Sequence, residues 1–261
     1  MKIGLLGLGS IGKRHAANLF ALGEKNLIAY DTAVWDQSLN DYPHIDTICC
    51  SIEEFWKQKP EAVLISTPPS THHALATEVL TRGIHCFIEK PIGPTAFVAN
   101  DLLFLNDDRK TLAVGYQLNA SASVRAFSRD WTTLLLWDKQ NMNIWPASTY
   151  ERDLLLEFSH ELALALLWAG ATPISATAIW DDPENCTIRL GWSYGRRAEI
   201  QLSSNYNGYL RGAWSDRDTW EFSKKENDEC YLAELEAFLA GDPYCTGYDA
   251  LAVMQLIERL R

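Results

Sequence analysis

The chain is short of positive charge, and it contains no long hydrophobic run. Its 261 residues carry 23 Lys and Arg against 34 Asp and Glu, a formal net charge of -11. Such an excess repels both a phosphate backbone and an anionic bilayer surface, which argues against nucleic acid and membrane as partners. The six cysteines (Cys49, Cys50, Cys86, Cys186, Cys230 and Cys245) include no CxxC spacing. Their scatter argues against a zinc ribbon or a small disulfide framework and fits reduced thiols, hence a cytoplasmic protein. Beyond the opening residues the longest apolar stretch, Leu162 to Ala171, is far below the ~20 residues that span a bilayer. The opening run itself is broken by glycine and followed by Lys13-Arg14-His15, so it reads as a strand and not as a secretory leader. The remainder is 47% hydrophobic and 22% charged, which is ordinary for a globular protein.

What is present is an apolar strand, Lys2 to Leu6, that breaks into Gly7-Leu8-Gly9-Ser10-Ile11-Gly12 and then a helix. In a GxGxxG turn of this kind the first glycine allows a tight turn and the second lets backbone approach a pyrophosphate. The third lets the helix pack on the strand. The helix N-terminus, with Ser10 and Ile11, then faces the anion with free N–H groups. A second apolar run, Leu27 to Tyr30, ends in Asp31, 19 residues beyond Gly12. A carboxylate there accepts ribose hydroxyls and repels a 2′-phosphate, and Thr32-Ala33 supplies no arginine, so NAD is expected in preference to NADP.

Up to residue 118, short apolar runs alternate with helical ones, as a parallel sheet covered by helices requires. Residues 1–118 are therefore expected to form an α/β Rossmann domain. Residues 119–261 hold eight of the ten tryptophans and strand-like runs such as Thr187 to Tyr194 and Arg197 to Asn205. They are expected to form an α+β domain with a mostly antiparallel sheet, for substrate binding and oligomerisation. Helices are expected over Leu154 to Trp168, Cys230 to Leu239 and Asp249 to Leu260, the last packing back on the first domain. Three further segments fall at strand C-termini, the ligand-binding edge of an open parallel sheet: Thr67-Pro68 through His72, Glu89-Lys90-Pro91, and Gly115-Tyr116-Gln117.

With these residues in place the chain resembles the glucose-fructose oxidoreductase, inositol dehydrogenase and rhizopine-catabolism (Gfo/Idh/MocA) family. The resemblance rests on the GxGxxGxxH opening ending in His15, the TPxxxH segment from Thr67 to His72, and the Glu89-Lys90-Pro91 triplet. It continues through Leu155 to Leu162 and Tyr231 to Phe238, and it is nearest to members associated with surface-polysaccharide or unusual-sugar synthesis. It implies an NAD-dependent oxidoreductase acting on a sugar, nucleotide sugar or cyclitol. Lys90 would be the cation beside the reacting carbon and a catalytic group with His160, and Glu89 would lie near the nicotinamide ribose. The expected cofactor-binding residues are thus Gly7, Gly9, Ser10, Ile11, Gly12, Asp31, Thr67, Pro68, His72, Glu89 and Lys90. The expected substrate-binding residues are Lys90, Tyr116, Gln117, Asn119, Glu157 and His160.

Each has a plainer alternative. Lys90 could be a solvated loop cation, His160 a core histidine and Glu157 a surface carboxylate. The pair His160-Glu161 opens no zinc motif, because Leu164 stands where HExxH needs its second histidine, and no metal is expected. Departures from the family pattern occur at Asn119, Ala120, Ser121, Ala122 and Ala163, and at Glu151-Arg152-Asp153. They leave two alternatives open: a non-catalytic NAD-binding homologue with a structural or sensing role, and a C=N reductase on the same scaffold. Strands carrying Trp180, Trp192, Trp214 and Trp220 suit a core or a homodimer or homotetramer interface.

Overall fold

The computed structural model describes residues 1–33, 41–106, 111–142 and 153–261. They form two compact units, Met1–Gln117 with Tyr231–Tyr248, and Leu118–Cys230 with Asp249–Arg261.

In the first unit the order is β1 (Lys2–Leu6), α1 (Ser10–Ala21), β2 (Asn26–Tyr30), β3 (Thr47–Ile48), α2 (Ile52–Lys57), β4 (Ala62–Ile65), α3 (Pro69–Thr81), β5 (His85–Glu89), α4 (Ala96–Leu105) and β6 (Leu112–Gly115). The strands pair in parallel in the order β3-β2-β1-β4-β5-β6. This doubly wound order reverses direction between β1 and β4, and ligands bind at the strand C-termini beside that point. The strands are continuous apolar runs because both sheet faces are covered. All of β4 and β6 is buried, and Ile3, Leu5, Val63, Leu64 and Ile65 are fully enclosed. Each such side chain contributes roughly 1.5–3 kcal/mol on leaving water.

Helix ends divide in a way that bears on function. Ser51 Oγ accepts from Glu54 N at α2, and Thr95 Oγ1 accepts from Val98 N at α4. Helices α1 and α3, which start at the sheet edge next to the reversal, have no side-chain cap and no acidic residue in the first turn. Their leading N–H groups are thus left for another acceptor.

The segment Tyr231–Tyr248 belongs to this unit although it lies far along the chain. Leu235 and Phe238 enter the same core as Leu5, Leu64 and Phe87, with the Phe87 and Phe238 rings edge-on at 5.6 Å. Backbone pairing of Val114 N to Cys245 O continues the sheet edge.

The second unit contains α5 (Ala122–Ala126), β7 (Thr133–Asn141), α6 (Leu154–Glu157), α7 (Ser159–Ala169), β8 (Ser175–Asp182), β9 (Asn185–Gly191), β10 (Arg197–Ser203), β11 (Asn205–Ser215) and β12 (Thr219–Glu221). Two helices, α8 (Lys224–Ala240) and α9 (Gly247–Leu260), run from one unit into the other. The sheet order is β12-β11-β7-β10-β9-β8, antiparallel except for the β7–β10 pair.

Several boundaries differ from expectation: α8 starts at Lys224, six residues before Cys230, and the strand expected from Arg197 to Asn205 ends at Ser203, with Asn205 opening β11. The helix expected over Leu154 to Trp168 is two helices, because Phe158 leaves helical geometry (φ -91, ψ 24) to bury its ring. The strand expected to reach Tyr194 stops at Gly191, since Tyr194 and Gly195 take φ 60 and 75 and reverse the chain into β10. Trp192 and Trp220 are buried, at 6% and 5% exposure, while Trp180 and Trp214 remain at 45% and 43%. Among the described residues no helix is long and apolar enough to cross a membrane.

Candidate functional site

The turn after β1 is built by three glycines for different reasons. Gly7 has φ +93, and a Cβ there would stand 2.8 Å from Ser66 O. Gly12 lets α1 lie against the turn, since a Cβ there would be 2.1 Å from Gly7 O. Gly9 is different. Its φ is -66, which any residue adopts, and a Cβ would meet nothing within 4 Å. No described residue gives a steric reason for glycine at that position, which costs backbone entropy. A ligand approaching the open side supplies one. Ser10 is exposed and Ile11 partly so at the uncapped N-terminus of α1, as a diphosphate requires.

Asp31 holds this turn as well as facing the site. Its Oδ2 accepts from Leu8 N at 2.6 Å and its Oδ1 from Ala33 N at 2.7 Å. Each oxygen keeps a second lone pair for a hydroxyl, and the charge disfavours a phosphate. These residues fit a dinucleotide without a 2′-phosphate.

On the other side of the reversal, Thr67 Oγ1 bonds Thr71 Oγ1 at 2.7 Å, and Thr71 Oγ1 donates to Pro68 O at 2.7 Å. Pro68 is exposed and Thr67 half-buried. His72, expected to touch the cofactor, is instead wholly buried, with Nδ1 2.8 Å from Pro91 O and Nε2 2.8 Å from Thr67 O. Burial lowers its pKa and the two carbonyls oppose that. The ring therefore lies between the Thr67 loop and the Lys90–Pro91 peptide with each nitrogen facing a carbonyl, one of which its single N–H serves in the neutral form, and neither nitrogen is open to a ligand. His73 lies on the surface of α3, paired with Asp101 at 2.8 Å.

Lys90 is half-buried at the end of β5, one residue after Glu89. Glu89 Oε1 lies 2.7 Å from His15 Nε2, and Lys90 N donates to Glu89 Oε2 at 3.3 Å. The Glu89-Lys90-Pro91 segment is therefore held from both sides, by His15 at its start and His72 at its end. Tyr116 and Gln117, which follow β6 in the same unit, are buried at 1% and 5%.

Asn119, Glu157 and His160 lie in the second unit. Asn119 is 5% exposed, and its Oδ1 makes no hydrogen bond. Asp153 Oδ1 caps α6 through Leu155 N and Leu156 N, which places Glu157, half-buried, at its end. His160 begins α7 and is 8% exposed. Glu151 and Arg152 lie outside the described residues.

Sequence reasoning passed over two features. Glu161, next to His160, points into a buried ion cluster in which Arg211 reaches Glu161 Oε1 at 2.7 Å and Asp138 Oδ2 at 3.2 Å. Burial works against the Arg211 guanidinium, but Glu161 and Asp138 outweigh it and raise its pKa. Tyr209, at the same place, is pushed up to about 12, chiefly by burial. The other feature is Glu234, which stands on α8 between the core residues Tyr231, Leu235 and Phe238. A carboxylate embedded in an apolar helical face was the available signal. Among the described residues only His15, Glu89 and Glu234 form a group with metal-like spacing, and within it His15 Nε2 lies at hydrogen-bond distance, 2.7 Å, from Glu89 Oε1.

Comparison with known proteins agrees with this geometry. Residues 1–116 match the model of an oxidoreductase family with an NAD-binding Rossmann fold (Gfo/Idh/MocA). UDP-N-acetylglucosamine 3-dehydrogenase of Acidithiobacillus ferrooxidans is 23% identical over 188 residues, 69% of this chain and 58% of that enzyme's length. Its solved structure superposes with TM-score 0.83 at 22% identity, covering 100% of this chain and 96% of that one. The WlbA dehydrogenase of Thermus thermophilus, solved with NAD and UDP-GlcNAcA, gives 0.83 at 17% identity over 100% and 95%. Scyllo-inositol dehydrogenase of Lactobacillus casei, solved with NAD(H) and scyllo-inositol, gives 0.84 at 17% identity over 100% and 95%. At these identities the structural likeness concerns the fold. Residues 1–116 of this chain are thus similar to the NAD-binding Rossmann domain of the Gfo/Idh/MocA oxidoreductase family.

Proposed function

We propose that the protein is an NAD-dependent oxidoreductase that moves a hydride to or from a hydroxyl or keto carbon of a sugar, nucleotide sugar or cyclitol. The observation that carries this reading is Gly9, where among the described residues a Cβ would meet nothing within 4 Å, at the start of α1 without a side-chain cap, beside the sheet reversal. The nicotinamide supplies hydride chemistry when bound.

The chain's own residues supply the rest. Gly7 to Gly12 and the first amides of α1 hold the diphosphate, and Asp31 takes the ribose hydroxyls. Thr67 and Pro68 line the opposite wall. A hydroxyl carbon that loses hydride must also lose its proton, which needs a base and a cation within hydrogen-bond reach. Lys90 fills the cationic role and His160 acts with it, while Tyr116, Gln117, Asn119 and Glu157 are assigned to the substrate. The relatives that act on UDP-N-acetylglucosamine or bind UDP-GlcNAcA favour a nucleotide sugar.

The exposed Trp180, Trp214, Tyr206 and Leu210 on β8 and β11 suit a homo-oligomer formed through the second sheet. The chain's acidity and reduced thiols favour a cytoplasmic protein. A second reading, NAD binding without turnover, is favoured by the burial of Asn119, Ser121 and Ala163, which stand where the family pattern has arginine, histidine and aspartate.

One experiment separates them. NADH fluorescence titration is followed by a screen of nucleotide sugars and inositols for change in nicotinamide absorbance. Turnover that Lys90→Ala abolishes supports the oxidoreductase. Tight NADH binding with no turnover on any candidate supports the second reading.

A further inference from the structure

Three ionisable side chains of the first unit meet, and of them only Glu89 has an expected place beside the cofactor. His15 comes from α1, Glu89 from the end of β5 and Glu234 from α8, and one polar atom of each lies within 4.8 Å of the others. His15 is fully buried, Glu234 is 5% exposed, and the Glu89 side chain is 13% exposed. No hydrogen bond reaches Glu234 Oε1. A cavity of about 10 Å³ beside it, shared with Phe87, Val114 and Tyr116, has room for about one water.

Two ionised carboxylates cannot both persist here. Each would repel the other at short range, and Glu234 would bear its charge without solvent or donor. Glu89 is the better-placed anion, since His15 Nε2 serves Oε1 and Lys90 N serves Oε2. The proton therefore falls to Glu234, whose pKa is raised by burial first and by the charge on Glu89 second.

The other charged or titratable neighbours do not alter this. Arg14 lies over the Tyr231 ring at 4.7 Å, and that ring stands edge-on to His15. His72 senses the charge of Glu89 but is tied to its two carbonyls. Tyr116, Tyr244 and Cys245 line the cavity and carry no charge at neutral pH.

We infer that Glu234 is a neutral carboxylic acid in the working protein, facing an ionised Glu89, and that with His15 it forms a positioning triad for the Glu89-Lys90 turn. Its catalytic consequence rests on the proposed role of Lys90. Loss of the proton at alkaline pH sets two anions against each other. Glu89 lies close against Gly115, where a Cβ would stand 3.0 Å from its Oε2, and its Oε2 accepts from Lys90 N at 3.3 Å, so a shift of this carboxylate acts directly on the backbone of Lys90.

The test compares wild type with Glu234→Gln, which keeps a neutral side chain of the same shape. The folded acid holds its proton above the ordinary 4.5 of the unfolded chain. Its contribution to stability is therefore complete below that value and declines as pH rises towards the folded pKa. The wild-type unfolding constant should rise relative to E234Q by up to about tenfold per pH unit through this window. Parallel pH curves for the two proteins would overturn the inference.

If E234Q does not fold, carbon NMR of glutamate-labelled wild type decides: the signal of one carboxyl group should report a retained proton well past the ordinary glutamate range. Titration of every glutamate within that ordinary range refutes the idea. A stoichiometric divalent cation in the purified protein, with a Tm lowered by chelator, also overturns it.

NADH affinity supplies the functional arm, through the expected place of Glu89 beside the nicotinamide ribose. It should fall with rising pH more steeply in wild type than in E234Q, and equal slopes would remove the positioning role. Absence of NADH binding in both proteins at every pH would sink the proposed function while leaving the proton measurements to report on the triad.

Discussion

Replacing Gly9 by alanine separates what the fold needs from what the ligand needs. The backbone at Gly9 has φ -66, and a Cβ there meets no atom within 4 Å. Alanine should therefore fit without strain, and the gain of about 0.4–1 kcal/mol from a less free unfolded chain is offset by the poorer N-cap that alanine gives α1, so Tm should stay close to wild type. The methyl group would stand in the open side of the turn, where the diphosphate comes closest. Forcing a methylene-sized group into a filled contact costs about 1–3 kcal/mol, which is roughly a 5- to 150-fold loss of affinity. Thermal unfolding and NADH fluorescence titration of G9A against wild type measure the two effects separately. A variant of unchanged or raised Tm that binds NADH as tightly as wild type would refute the reasoning. Gly12→Ala is the contrasting control, since its Cβ would collide with Gly7 O and damage the fold as well.

Lys90→Ala should lower turnover by at least about a hundredfold while leaving NADH affinity nearly unchanged, in steady-state kinetics paired with direct binding. Arg211→Met strips the cation from two buried carboxylates, Glu161 and Asp138. Denaturant unfolding should show a loss of about 3–5 kcal/mol, typical of an uncompensated buried charge. Asp216 is held down to about 2, first by Thr132 N and then by the Thr132 hydroxyl. Its stabilisation is present above the unfolded value near 3.8 and is lost as pH falls towards 2. Asp216→Asn should therefore flatten the acid limb of the stability curve, read as Tm against pH.

The first unit was legible because its signals are local. Continuous apolar strands, a glycine turn and an acidic residue at the end of β2 each depend on neighbours in sequence, and each stands where the pattern put it. The second unit was less so. Strand β8 reads Ser-Ala-Thr-Ala-Ile-Trp-Asp-Asp and is mostly exposed, so it lacks the apolar alternation that marks a half-buried strand. The break at Phe158 depends on where one aromatic ring finds a core, and helical periodicity does not encode that.

Site residues divide in the same way. Asp31 and Lys90 were read from motifs, but the two carbonyls that claim His72 come from loops brought together only by the fold. The ion cluster of Arg211, Glu161 and Asp138 joins two strands and a helix. Glu234 meets His15 and Glu89 across nearly the whole chain length. Such long-range polar contacts leave no periodic trace in sequence.

The claim on which the rest depends is that a dinucleotide sits on the turn after β1. A crystal structure of the protein soaked with NAD tests it most directly. The account predicts the diphosphate on Gly9 and the first amides of α1, a ribose on Asp31, and the nicotinamide beside Lys90. An empty turn at saturating NAD, or the ligand bound elsewhere, would contradict it.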